Sequence, residues 1–207
     1  MNLTISSKSG FTLIELTLVV LIIALLVVAL LSDYGKGLKV ARLQVGTESL
    51  VALLNEQRTL ARSGMLVNGL PGCYGLKVVV DGFPSINQTL KMVQSGFQKD
   101  VGCSTTLQEV AVPLSMPVGV GISSVDVRSQ SSGVTWSPAP PASSAVILYE
   151  PLDGKVFFWF PEPPNQATIP GEDAQGVNEA VFVIDYQGDP VYSKTVLVDG
   201  LSGGVSF

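Results

Sequence analysis

The sequence predicts an α+β fold, in which a long N-terminal helix packs on a small antiparallel β-domain. Three observations predict it. Residues 11–31 form an apolar run in which only Thr12, Glu15 and Thr17 are not hydrophobic. Leucines then recur at helical intervals as far as Leu60. Beyond Gly64 the pattern changes to short β-branched runs punctuated by Gly, Pro, Asn and Asp.

Residues 1–10 are short and polar, with Lys8 just ahead of Ser9-Gly10, and they read as a leader. An ordinary secretory signal places small residues and a cleavage site after its apolar stretch. No Ala-x-Ala pattern follows Leu31, and the run is too long for such a signal, so the other reading is an uncleaved signal anchor. At about 1.5 Å per residue the run spans roughly 32 Å, the thickness of a bilayer's hydrocarbon layer. Residues 11–35 are therefore a transmembrane helix by length and composition. Glu15 is its anomaly, because a carboxylate in such a segment needs a partner.

Residues 36–63 continue the helix in amphipathic form. Leu43, Leu50, Leu53, Leu54 and Leu60 alternate with Lys39, Arg42, Glu48, Glu56 and Arg58. Arg62 in the last turn and Gly64 behind it supply a stop. The leucine stripe is expected to face a sheet rather than to form a coiled-coil seam. Ser32, Gly35 and Gly37 are the first candidates for a local break.

Residues 64–207 make the β-domain. Asn68-Gly69-Leu70-Pro71-Gly72 reads as a turn, and 74–80 as a strand ended by Asp81-Gly82. Further strands are expected at 89–93, 107–112, 118–122, 124–128, 145–150, 155–160, 179–186 and 191–198. Asp153-Gly154 and Gln187-Gly188-Asp189 read as hairpin connections. Loops are expected at 129–144 and 161–176, both rich in Pro, Ser and Gly. Trp136, in the first loop, is expected to cover the edge of the core. Val156-Phe157-Phe158-Trp159-Phe160 is apolar enough to require cover on both faces, with Lys155 and Pro161 as gatekeepers.

Composition narrows the function. The net charge of −5 argues against non-specific nucleic-acid binding, which needs clustered cations to displace counterions. The chain has no His, so the commonest general base and the commonest metal ligand are missing, and no spacing nominates another catalytic set. No enzyme activity, cofactor or metal is expected. Asp185 and Asp189 flank Gly188 as in a calcium loop, but a hairpin turn accounts for them equally and the alternating oxygen ligands are missing. Glu172-Asp173 reads as solvated loop. Cys73 and Cys103 are expected to pair if this part of the chain is exported; in a reducing compartment they would be two separate buried thiols.

Gly10-Phe11-Thr12-Leu13-Ile14-Glu15-Leu16 resembles the processing motif of type IV prepilins and type II secretion pseudopilins. The resemblance covers the first 50 or so residues. It implies that prepilin peptidase, a membrane-embedded aspartic enzyme, cuts between Gly10 and Phe11, that Phe11 is N-methylated, and that Glu15 is the assembly glutamate. The partners implied are other pilin or pseudopilin subunits, the inner-membrane assembly platform and the membrane itself. The location implied is the bacterial inner membrane as a single-pass precursor, with the β-domain outside the cytoplasm, and then a periplasmic or surface filament. The α-amino group of a neighbour's Phe11 would give Glu15 its cation; the other reading is a glutamate that snorkels to water. Lys36, Lys39 and Arg42 follow the span while Lys8 precedes it, which by the positive-inside rule alone would leave the bulk of the chain in the cytoplasm.

The layout resembles more distantly the H-type minor pseudopilins and related minor pilins, through Ala61-Arg62-Ser63 and Ser202-Gly203-Gly204-Val205. That likeness implies a two-sheet β-domain and a minor subunit. Some relatives serve DNA uptake through basic residues near the C-terminus; residues 198–207 contain no Lys or Arg, so that role is not carried over. A membrane-anchored binding module is the reading of a different class, and the mature N-terminus separates it from the filament subunit.

Overall fold

The computed structural model describes residues 12–81, 89–98, 102–104, 106–129, 135–136, 142–159 and 177–207. Its one helix among these residues, α1, is Leu13–Arg62. The chain divides into two compact units, Met1–Lys39 and Val40–Phe207. Gly35 and Gly37, expected as points of local melting, lie inside α1 without interrupting it.

In the first unit, the described helical residues from 13 to 31 are all exposed. This stretch is long and apolar enough to cross a membrane.

In the second unit, residues 40–62 of α1 bury one stripe made of Leu43, Thr47, Leu50, Leu54, Gln57 and Ala61. The spacing of four, three, four, three and four keeps them on one helix face. Leu53 and Leu60, also in the predicted stripe, are half-buried at its margin. The two polar members are satisfied locally. Thr47 Oγ1 donates to Leu43 O at 2.8 Å, and Gln57 Nε2 donates to Met92 Sδ at 3.2 Å.

The strands are β1 (Leu66–Val67), β2 (Leu70–Asp81), β3 (Thr89–Gln98), β4 (Gly102–Cys103), β5 (Gln108–Ser115), β6 (Val120–Ser129), β7 (Thr135–Trp136), β8 (Ala142–Tyr149), β9 (Val156–Trp159), β10 (Val177–Tyr186), β11 (Asp189–Asp199) and β12 (Val205–Ser206). They form two sheets. The seven-stranded sheet runs β4-β3-β2-β8-β9, with β1 on β2 and β5 on β3; the five-stranded sheet runs β12-β11-β10-β6-β7. Every described pairing is antiparallel. One core receives the helix stripe and one face of each sheet, including Leu76, Val78, Ile147 and Tyr149 from the larger and Ile122, Val125, Phe182 and Val196 from the smaller.

Several expected boundaries move. The turn at 68–72 is confined to Asn68 and Gly69, both at positive φ (54° and 82°), and Pro71 and Gly72 already pair within β1, β2 and β3. The strands expected at 118–122 and 124–128 are one strand, β6, interrupted by a bulge. Val183 pairs with Ser124 and Ile184 with Ile122, so Ser123 is the extra residue and its hydroxyl donates to Val183 O at 3.2 Å. That bulge lets Ile122 and Val125 both face the core despite their odd spacing. Within 129–144, expected as loop, Thr135–Trp136 pairs with Arg128 and Val127, and residues 142–144 belong to β8. The Trp136 side chain, Glu172-Asp173, Pro161 and the loop at 161–176 lie outside the described residues.

Glycine is required where elements press together, as at Gly75 and Gly46. A Cβ on Gly75 would fall 1.7 Å from Ile147 O on the neighbouring strand β8, and one on Gly46 would fall 2.8 Å from Val120 Cγ1. The second contact sets how closely α1 can approach the smaller sheet.

Candidate functional site

The first turn of α1 is built around Thr12 and Glu15. Thr12 N donates to Glu15 Oε2 at 2.9 Å, and Thr12 Oγ1 donates to the same oxygen at 3.0 Å. In return Glu15 N donates to Thr12 Oγ1 at 3.3 Å. These bonds make a capping box, in which two N–H groups that have no partner inside the helix are satisfied reciprocally. Leu16 N closes the turn on Thr12 O at 3.2 Å, and Thr17 Oγ1 donates to Ile14 O at 2.9 Å. All three polar side chains of the apolar run are thus bonded within its first turn. Both bonds to the carboxylate use Oε2; among the described residues no donor reaches Oε1.

Thr12-Leu13-Ile14-Glu15 is the Thr-x-x-Glu pattern that announces a capping box before an apolar run. Attention to the membrane cost of a carboxylate hides this signal in a reading of the sequence. Gly10 and Phe11 lie outside the described residues.

Cys73 on β2 and Cys103 on β4 form a disulfide, with Cα atoms 5.9 Å apart. β3 pairs with both of these strands, so the bond ties three neighbours together. The two sulfurs sit in a second small core on the far face of the larger sheet, with Val93, Val146 and Leu148 buried beside them and Phe97, Leu107 and Phe157 packed against it. Val156 and Phe158 point into the main core. The apolar run on β9 is therefore covered on both faces, as far as its side chains are described.

At the end of α1, Arg58 Nη2 donates to Ser202 O at 2.7 Å and Arg62 Nη2 to Asp153 O at 3.4 Å. Ala61 is buried and Ser63 Oγ caps Leu60 O at 2.6 Å. Arg62 thus fastens the helix end to the turn after β8, and Arg58, one turn earlier, fastens it to the turn after β11. Asp199 Oδ1 accepts the N–H groups of Leu201 and Ser202, both at 2.8 Å, and these bonds, Ser202's first, hold its carboxyl below the usual aspartate range.

Asp185 and Asp189 serve their own hairpin. Asp185 Oδ1 accepts Gly188 N–H at 3.2 Å and Asp189 Oδ1 accepts Val191 N–H at 3.0 Å. Gln187 and Gly188, both at positive φ (54° and 72°), give the tight turn that joins paired strands. Asp185 is buried, and burial pushes its carboxyl upward against the lowering effect of the Ser123 hydroxyl and Gly188 N–H. Among the described residues there is no group of three or more His, Cys, Asp or Glu placed to hold a metal ion.

No protein-family profile, curated protein or solved structure matches this chain.

Proposed function

We propose that this chain is a minor subunit of a type IV pilus-like filament or a type II secretion pseudopilus, processed by prepilin peptidase between Gly10 and Phe11 and assembled through its N-terminal helix. The observation that carries this reading is an exposed apolar stretch, residues 13–31, with a carboxylate in its first turn. A soluble domain has no use for such a surface in water. A bilayer would cover it first, and the helices of neighbouring subunits would cover it afterwards. The disulfide supports residence of the β-domain outside the reducing cytoplasm.

In this reading the free lone pairs of Glu15 receive the α-amino group of Phe11 of an adjacent subunit, and the pair sets the axial register of the filament. The inner-membrane assembly platform and the other pilin or pseudopilin subunits are its partners. Replacing Glu15 with Ala in the full chain tests this role. Cleavage should continue and incorporation into filaments should drop at least tenfold; undiminished incorporation would contradict it.

A further inference from the structure

The end of α1, the end of β8 and the turn after β11 meet at the edge of the main core. Tyr149, the last residue of β8, is fully buried there. The turn over residues 199–204 lies against its ring: a Cβ on Gly203, whose φ is 65°, would fall 3.1 Å from Tyr149 Cε1 and 2.4 Å from Gly154 O. Only a residue without a side chain lets the turn come so close. Arg58 reaches the same turn from the helix, where its Nη2 donates to Ser202 O at 2.7 Å. The guanidinium and the phenol therefore border consecutive residues of one turn.

Arg58 Nε and Tyr149 Oη are both buried and meet no hydrogen-bond partner among the described residues. Arg58 Nε is a donor that cannot give up its proton. Burial pushes the Tyr149 hydroxyl far above its ordinary range, against the lowering effect of the Arg58 charge, so it too stays protonated. Buried polar groups in folded proteins find a partner in protein or in ordered water, and leaving one unpaired is costly. Neither group is needed for its apolar part, since a phenylalanine would fill the same space as the ring and a lysine could offer a cation to Ser202 O. Two such groups at one turn point to a shared partner.

We infer that Arg58 Nε and Tyr149 Oη bind one internal water molecule, which links the end of α1 to β8 and to the turn after β11. The water accepts the N–H and the O–H, and donates to a carbonyl oxygen of the turn. Ser202 O, already holding one bond from Arg58, has a second lone pair for it. A buried water makes about three such bonds. Two donors would also suit an anion, but the Ser202 carbonyl and the Asp199 carboxylate, which feels the Arg58 charge, both disfavour one. The water makes the seat of the helix specific, because a helix shifted along the sheets would leave both groups unpaired. Every group involved lies in residues 40–207, so the inference does not rest on the filament reading.

Tyr149→Phe in the full chain tests this by the sign of its effect. Removing a hydroxyl that has no partner would leave the melting temperature unchanged or raise it. Removing one that holds the water also strips Arg58 Nε of its acceptor, and should lower the melting temperature by about 3 to 5 °C. In an Arg58→Lys background, which keeps a cation for Ser202 O and has no Nε, the same substitution should lower it little further. An unchanged or raised midpoint in Tyr149→Phe, or equal losses in the two backgrounds, would overturn the bridge. Water-to-protein cross-relaxation on the detergent-solubilised full chain with isotope-labelled arginine needs no variant of Tyr149. The Arg58 Nε–H signal, identified by its loss in Arg58→Lys, should show a cross-peak to a long-lived water, with the sign that separates it from chemical exchange. That cross-peak should disappear in Tyr149→Phe. An Nε–H signal without the cross-peak, one lost to rapid exchange with bulk water, or a cross-peak that survives Tyr149→Phe would each overturn the inference.

Discussion

Glu15 is held by its own helix: the Thr12 amide reaches Oε2 at 2.9 Å and the Thr12 hydroxyl reaches it at 3.0 Å. The carboxylate that looks unexplained in an apolar segment closes the helix start, where N–H groups would otherwise have no partner inside the helix. It does so with one oxygen, so the cap does not compete for the other with the neighbour's cation proposed above. Capping and the proposed assembly role are compatible uses of the same group.

Removing the capping hydroxyl isolates the first use. Thr12→Val should cost the helix start about 1 kcal/mol, seen as roughly fivefold faster exchange of the first-turn amides, and Thr12→Ser should restore the wild-type rate. Equal exchange in all three chains, measured by hydrogen–deuterium exchange in detergent, would contradict the capping box.

The disulfide closes a sequence separation of 30. In the chain-entropy account a loop of this size contributes about 3 to 4 kcal/mol. The double variant Cys73→Ala with Cys103→Ala should melt roughly 10 °C below the parent in a thermal scan of the detergent-solubilised chain. An unchanged midpoint would show that the bond adds nothing to the small core around it.

Much of this architecture is legible in the sequence, and the misses have physical causes. The helix could be read because its buried face repeats at 3.6 residues; Thr47 and Gln57 escaped the stripe because their polarity hides their position, while the structure satisfies them through Leu43 O and Met92 Sδ. β10 and β11 could be read because Gln187-Gly188 marks their turn. β1, β4, β7 and β12 could not, since two residues carry no periodicity and each exists only through the neighbour it pairs with. The break seen at Ser123 is real but is a bulge within β6. In the candidate site the acid stands out by its cost in an apolar run, while its cap is written in the Thr-x-x-Glu spacing of Thr12 and Glu15.

Asp185 makes a pH dependence. Burial raises its carboxyl above the ordinary aspartate value of about 4. The native state therefore binds more protons than the unfolded chain between that value and the raised one. Stability from this group is present below the window and is lost as pH rises through it. Asp185→Asn removes the titration and keeps an oxygen for Gly188 N–H. The melting temperature of the variant relative to wild type should rise from pH 3 through the window and then level off. A difference that stays flat, or falls with rising pH, would contradict the assignment.

The central claim is that the apolar helix belongs to a processed filament subunit, and its most direct test is the mass of the mature N-terminus. Intact-mass and N-terminal peptide analysis of the chain purified from membranes of a host with prepilin peptidase should find it beginning at Phe11, with a methyl group on its α-amine. A chain that still begins at Met1, or begins anywhere other than Phe11, would contradict the account.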